Sequence, residues 1–245
     1  MTLMLHCGAN PATMTDLSRV TLPESTPTFQ PIAHDLIAQM TLEAVRKQHP
    51  GADINEAYGM TAEGNRMFGV LDVILDGSDH GPCYGMRNDH GKTLSSAVCG
   101  GGKVFVCDNL AFSSDGVTFF RKHTKNIVRD LETIILKSVQ QSAHEFSMIE
   151  DRWEAMRDLG VSLNTGYGML GIAAGTGVLT PTQFNQSRRA WRDDERHGPR
   201  TQYSLYQAFT EGAKKGNPAD MMTRYPKIDD FFRNEECLIL WEDAA

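Results

Sequence analysis

Long apolar runs are missing from this chain. No stretch approaches the ~20 residues that a membrane-spanning helix needs, so an integral membrane protein is not expected. Met1 to Cys7 is partly apolar but has no basic start and no usable hydrophobic centre, and it does not read as a secretory signal. Cysteine is scarce and unframed. The five residues Cys7, Cys83, Cys99, Cys107 and Cys237 are an odd number without the spacing of a disulfide scaffold. Reduced thiols in a cytosolic compartment are expected. A basic excess is also missing. The formal net charge of −7 repels phosphate and withdraws the simplest argument for nucleic-acid binding, although a local basic groove can coexist with an acidic remainder. Internal repeats and low-complexity tracts are lacking too.

What is present is ordinary globular composition: 40% hydrophobic and 22% charged residues over 245 positions, enough for a sizeable core. Residues 1–30 are rich in Thr, Ser and Pro, lack periodicity, and read as a loose N-terminal arm. Residues 31–245 read as a single α+β domain. Pro31 opens a helical pattern with Ile32, Leu36, Met40 and Val45 roughly on one face, ending before His49-Pro50-Gly51. A short polar link follows. Met67 to Leu75 reads as a strand and Asp76 to Asp79 as a turn. Cys83 to Asn88 is a second strand, Lys92 to Cys99 is weakly helical, and Gly100-Gly101-Gly102 punctuates the chain. Val104 to Phe112 is the strongest strand signal. Ser113 to Gly116 is a hairpin turn that returns the chain through Val117 to Arg121.

A long helix is expected from about Asn126 to Leu159, with Ile127, Leu131, Ile134, Ile149, Trp153 and Met156 on its apolar side. At this length it either breaks near Ser142-Ala143-His144 or projects to meet a partner. The last third is helical. Thr180-Pro181-Thr182-Gln183 combines an N-cap, a first-turn proline and a capping-box glutamine, and Asn217-Pro218 opens a further helix. The expected fold class is therefore α+β: a small antiparallel sheet of three or four strands, a long packed helix and a helical C-terminal third.

Several motifs resemble known chemistry without meeting its requirements. Gly85 to Thr93 ends in Gly-Lys-Thr but has five residues between its glycines, one too many to wrap a phosphate, so it reads as a turn. Gly166-Tyr167-Gly168-Met169-Leu170-Gly171 has dinucleotide-loop spacing but follows no convincing strand. It reads as a helix of small residues that admits another backbone closely. His80, Cys83, His90 and Cys99 share one stretch, but their spacing fits no paired zinc pattern. No catalytic residue, metal ligand or cofactor is assigned. Asp108, Asn109 and His123 motivate only an uncharacterised enzymatic alternative.

The basic residues carry more. Arg121, Lys122, His123 and Lys125, with Arg129 one turn on, join a strand to the long helix just after Phe119 and Phe120. A second group comprises Arg188, Arg189 and Arg192 with Trp191 among them, followed by Arg196 and Arg200. Basic residues interleaved with aromatics can hold a single strand by phosphate contact and base stacking. The alternative is a solvated face paired with Asp193, Asp194 and Glu195.

Met86-Arg87-Asn88, Val104-Phe105-Val106-Cys107-Asp108-Asn109-Leu110-Ala111-Phe112, Arg121-Lys122-His123-Thr124 and Tyr203 to Glu211 together resemble the core and C-terminal signature of a phage- and plasmid-borne protein family of unknown function. The resemblance covers roughly Phe68 to Phe232 and implies a mobile-element accessory protein in a bacterial cytoplasm. The helix, strands, long helix order is also similar to single-strand annealing proteins, a likeness of fold alone. The first expectation is thus a non-enzymatic protein that binds single-stranded DNA in recombination or annealing and assembles as a homo-oligomer. The alternatives are an acidic inhibitor that binds a host bacterial protein of defence or transcription, and an enzyme.

Overall fold

The computed structural model describes residues 9–61, 63–75, 80–104, 109–111, 119–121, 127–193, 195–196, 198–214 and 218–234, with backbone alone for 103–104, 109–111, 119–121, 128–129 and 218–223. The strands are β1 (Asn10–Ala12), β2 (Asp53–Met60), β3 (Arg66–Ile74), β4 (His80–Asp89), β5 (Ser96–Val104), β6 (Asn109–Ala111) and β7 (Phe119–Arg121). The helices are α1 (Met14–Ser18), α2 (His34–Gln48), α3 (Ile127–Asp158), α4 (Leu163–Gly175), α5 (Pro181–Asp193), α6 (Gln202–Ala213) and α7 (Pro218–Arg233). The fold is α+β, and every strand pair is antiparallel. None of the described helices is long and apolar enough to cross a membrane.

The sheet runs in order β1-β2-β3-β4-β5-β6, with β7 also on β5. It therefore has seven strands rather than three or four. Ala111 pairs with Gly102 and Arg121 with Ser96, so β6 and β7 divide the outer edge of β5 between them. The strong apolar signal at Val104 to Phe112 is split: Val104 ends β5, 109–111 form β6, and the rest lies outside the described residues. The expected turns at 76–79 and 113–116 lie outside them as well.

Three local readings change. Residues 10–18, expected in a loose arm, contain β1 paired with β2 and an α1 held by a Thr13/Asp16 capping box, with Leu17 buried in the core. The polar link contains β2, whose Asp, Asn, Glu and Gly residues have poor strand propensity; pairing along its whole length with β3, and with β1 at Tyr58, Gly59 and Met60, overrides it. Lys92 to Cys99 is not helical. It turns through Lys92 at φ 63° and enters β5.

The glycine triplet lies inside β5, where it makes room. A Cβ on Gly100 would overlap the Cβ and Oγ of Ser142 on α3. Small residues on strand and helix let α3 lie directly on the sheet, and α3 neither breaks nor projects. It runs unbroken for 32 residues, about 48 Å. Its stripe Ile127, Leu131, Ile135, Val139, Ser142, Phe146, Ile149, Trp153 and Met156 is buried at three- and four-residue steps. Ile135 takes the buried place expected of Ile134, which is only half-buried.

Two large apolar clusters flank the length of α3. One joins Leu17, α2 and the first half of α3 to Met67, Leu71, Val73, Tyr84, Met86 and Val98 of the sheet. The other joins the second half of α3 to α4–α7 and to Cys83, Ala97 and Cys99. In the second, Arg152 of α3 holds Asp229 of α7, and Phe209, Phe231 and Phe232 pack ring on ring.

Candidate functional site

α5 begins as its sequence dictates. Thr180 N–H donates to Gln183 Oε1 at 2.9 Å and Gln183 N–H to Thr180 Oγ1 at 3.4 Å, closing the capping box around Pro181. Gln183, Ser187 and Trp191, spaced by four, form the buried side of α5. The opposite side therefore presents Arg188, Arg189 and Arg192 to solvent. The chain then turns, with Gly198 N–H bonded to Glu195 O, and is tied beside the end of α3. Val161 N–H donates to Arg200 O at 3.0 Å and Gln202 N–H to Leu159 O at 2.8 Å. Arg200 thereby lines a cleft with Arg192, and Arg196 is exposed in the turn.

Trp191 is placed differently from the expectation. It is 4% exposed, Nε1 donates to Leu163 O at 3.1 Å, and its indole fills the space that a Cβ on Gly166 would take. The Gly166 to Gly171 motif is thus helix α4, and its first glycine admits a side chain rather than a backbone. Held this way, the Trp191 ring cannot also stack on a base. The Arg200 guanidinium lies 5.8 Å from its centroid instead and donates to Arg192 O at 3.3 Å.

The acidic neighbours are only partly engaged. Arg192 pairs through two nitrogens with Asp193, at 2.6 and 2.7 Å, and both side chains are more than half exposed. That contact lowers the Asp193 carboxyl and raises the Arg192 guanidinium. Arg196 reaches Glu211 of α6 at 3.4 Å, and Lys214 reaches the same carboxylate at 2.8 Å. The Arg192–Asp193 pair is exposed on both sides, adds little to stability and yields readily to a competing anion, whereas Lys214 and Glu211 are largely buried. From Leu159 to Ser187 the chain carries no Asp, Glu, Lys or Arg, so the arginines border a neutral surface. A cleft of about 370 Å³ opens between Trp191, Arg192, Glu195, Pro199 and Arg200.

Of the other basic group, Arg121 ends β7, its side chain and that of Arg129 are not described, and Lys122, His123 and Lys125 lie outside the described residues, as does Asp108. Arg121 lies toward the start of α3 and Arg200 beside its end, so these two arginines sit toward opposite ends of a helix about 48 Å long.

The near-miss phosphate loop is filled from within. The Asp89 carboxylate accepts the N–H groups of Gly91 at 2.8 Å, Thr93 at 2.9 Å and Leu94 at 2.7 Å, and the Thr93 hydroxyl at 2.5 Å. Arg66 Nε stands 3.6 Å away. An internal carboxylate occupies the position a phosphate would take. Burial pushes the Asp89 carboxyl up, but the Thr93 hydroxyl and the three N–H donors outweigh it and leave it below the ordinary carboxylate range.

Sequence reasoning missed one cluster. His34, at the start of α2, stacks on His90 with ring centroids 3.9 Å apart and planes 5° from parallel. Ser96 Oγ donates to Asn88 Oδ1 at 2.8 Å, while Asn88 Nδ2 donates to Ile32 O at 2.8 Å and to His34 Nδ1 at 2.9 Å. His34 Nδ1 is therefore an acceptor, and its Nε2–H donates to Gly64 O at 2.9 Å. His90 Nε2–H donates to Ile32 O at 2.7 Å. All four side chains are buried, and their bonds fasten the start of α2 to β4 and β5. His34 lies 54 residues before Asn88, so no local motif announces the cluster.

The remaining zinc-like residues go elsewhere. His80 Nε2 meets Glu150 at 2.9 Å and sits edge-on to Trp153. Cys83 and Cys99 are buried free thiols, and burial pushes Cys99 up to about 12. Among the described residues, three or more potential metal ligands nowhere converge. A groove of about 520 Å³ between α2 and α3 is lined by Leu36, Met40, Ala44 and Leu136 with Glu43 and Glu132, and it gathers no catalytic constellation. Comparison with protein-family models, with curated proteins and with solved structures yields no match for this chain.

Proposed function

We propose that this protein binds single-stranded nucleic acid through the exposed arginine surface of α5 and the α5–α6 turn, as an accessory protein of a phage or plasmid. The observation that carries the reading is the exposure of Arg188, Arg189 and Arg192 on one side of α5, with Arg200 joining Arg192 at one cleft and Arg196 exposed in the turn, beside a stretch of chain without charge. A single strand is favoured over a duplex because a flexible strand can follow a short curved surface, and an arginine plane can stack on an exposed base. The acidic remainder of the protein then confines the strand to this surface by repelling it elsewhere. The mobile-element setting, and a role in annealing by a homo-oligomer, belong to the same proposal.

The test is fluorescence anisotropy of a labelled single-stranded oligonucleotide titrated with protein at several salt concentrations. Each lost phosphate contact should flatten the plot of log K against log salt by about 0.7. Arg188→Glu/Arg189→Glu should weaken binding and flatten that plot by about 1.4. Arg121→Glu/Lys122→Glu, toward the other end of α3, reports whether the strand extends that far. Unchanged affinity and slope in the Arg188/Arg189 variant, or no binding of the parent protein at low salt, overturns the reading.

A further inference from the structure

The cleft beside Trp191 differs from the open arginine surface around it. One wall is the Arg200 guanidinium, held against the Trp191 ring and by its bond to Arg192 O. That bond uses one of the five N–H donors a guanidinium carries. Pro199 supplies an apolar side, and Arg192, whose pairing with Asp193 is exposed, supplies a cation to the lining. Glu195 also lines the cleft, and its carboxylate makes no hydrogen bond or ion pair among the described residues. The turn that carries Glu195 is closed by the Gly198 N–H bond to Glu195 O, and the backbone at Arg200 is tied to Val161, so both ends of the cleft wall are held.

A volume of about 370 Å³ is at the small end of ligand sites and suits one nucleotide. Arg192, Glu195 and Arg200 line the same cleft, so a base stacked on Arg200 has a cation for its phosphate and a carboxylate for its edge within one small site. A carboxylate accepts hydrogen bonds but donates none. Guanine alone among the common bases presents two adjacent donors, N1–H and N2–H, on its Watson–Crick edge and can satisfy both carboxylate oxygens. Adenine and cytosine offer one amino donor beside an acceptor and thymine one N–H between two acceptors, so each leaves an acceptor facing the carboxylate.

Resting on the single-strand reading above, we propose that this cleft is a subsite for one unpaired guanine nucleotide, with Arg200 as stacking platform, Arg192 as phosphate contact and Glu195 as reader of the base edge. The subsite makes the interface weakly sequence-selective rather than indifferent to sequence.

The experiment compares two labelled oligonucleotides of about twelve nucleotides, all-thymine and the same strand with one central guanine, against the parent chain, Glu195→Gln and Arg200→Ala. The parent should bind the guanine strand at least about fivefold more tightly. Glu195→Gln should lose that preference while binding the all-thymine strand as well as or better than the parent, because one negative charge has gone. Arg200→Ala should lose the preference and some general affinity. Circular dichroism confirms that each variant is folded, and both side chains are exposed, so their removal leaves the core intact. Equal binding of the two strands by the parent overturns the subsite and leaves the single-strand reading standing. A guanine preference that survives Glu195→Gln overturns the assigned reader. Failure of either strand to bind the parent overturns both readings.

Discussion

Arg152 Nη1 lies 3.0 Å from each carboxylate oxygen of Asp229, joining the C-terminal part of α3 to α7 across the second apolar cluster. Arg233 Nε reaches the same carboxylate at 3.3 Å. Asp229 is almost wholly buried, while Arg152 retains a quarter of its exposure, so the pair is partly desolvated. Removing one partner leaves an uncompensated charge. Asp229→Ala should cost about 3 kcal/mol in chemical denaturation. The double variant Arg152→Met/Asp229→Leu should cost clearly less than the sum of the single changes, because it strands neither charge. Additive single and double effects would show that the two side chains do not act as a pair.

Gly100→Ala tests the seat of α3 on the sheet. The new Cβ would overlap both Cβ and Oγ of Ser142, so the helix must move, at about 1–3 kcal/mol. Ser142→Gly clears both atoms and should recover part of the loss, whereas Ser142→Ala, which keeps the Cβ, should recover little. Equal recovery by the two would place the strain elsewhere.

Asp89 gives the protein an acid-sensitive contact. Its folded pKa is lowered, so the unfolded chain binds the proton more tightly. Its stabilising contribution is then complete above the unfolded value near 3.8 and is lost as pH falls through the lower folded value. Asp89→Asn should destabilise the protein at neutral pH and flatten stability against pH below about 4. The loss at neutral pH arises because the amide replaces an acceptor oxygen with a donor facing N–H groups. Thermal midpoints measured from neutral to acid pH in both proteins check this.

Asp193 competes with a bound strand for Arg192. Its pairing is exposed, so its loss should leave stability nearly unchanged. Asp193→Asn should strengthen binding of an all-thymine single strand a few-fold at low salt, with the gain fading as salt rises. Weaker binding would place Asp193 among the groups that hold Arg192 in its binding position.

Much of the fold was legible locally, because local signals need only the chain's own periodicity and turn chemistry. The Thr180 to Gln183 box starts α5 as its residue types require, and the three- and four-residue steps of α3 place Ile127, Leu131, Trp153 and Met156 inward. The α+β class and the exposed Arg188, Arg189 and Arg192 follow from the same reasoning. What tertiary structure alone decided is where distant segments meet. It made a strand of the polar residues 53–60 by pairing them with β3 and, at their end, with β1, and it used the glycine triplet to seat α3 rather than to end a segment. It filled the Gly-Lys-Thr turn with the Asp89 carboxylate, stacked His34 on His90 across the core, and withdrew Trp191 into the α4–α5 contact. Each of these outcomes depends on burial and on partners far along the chain, which residue type and spacing do not encode.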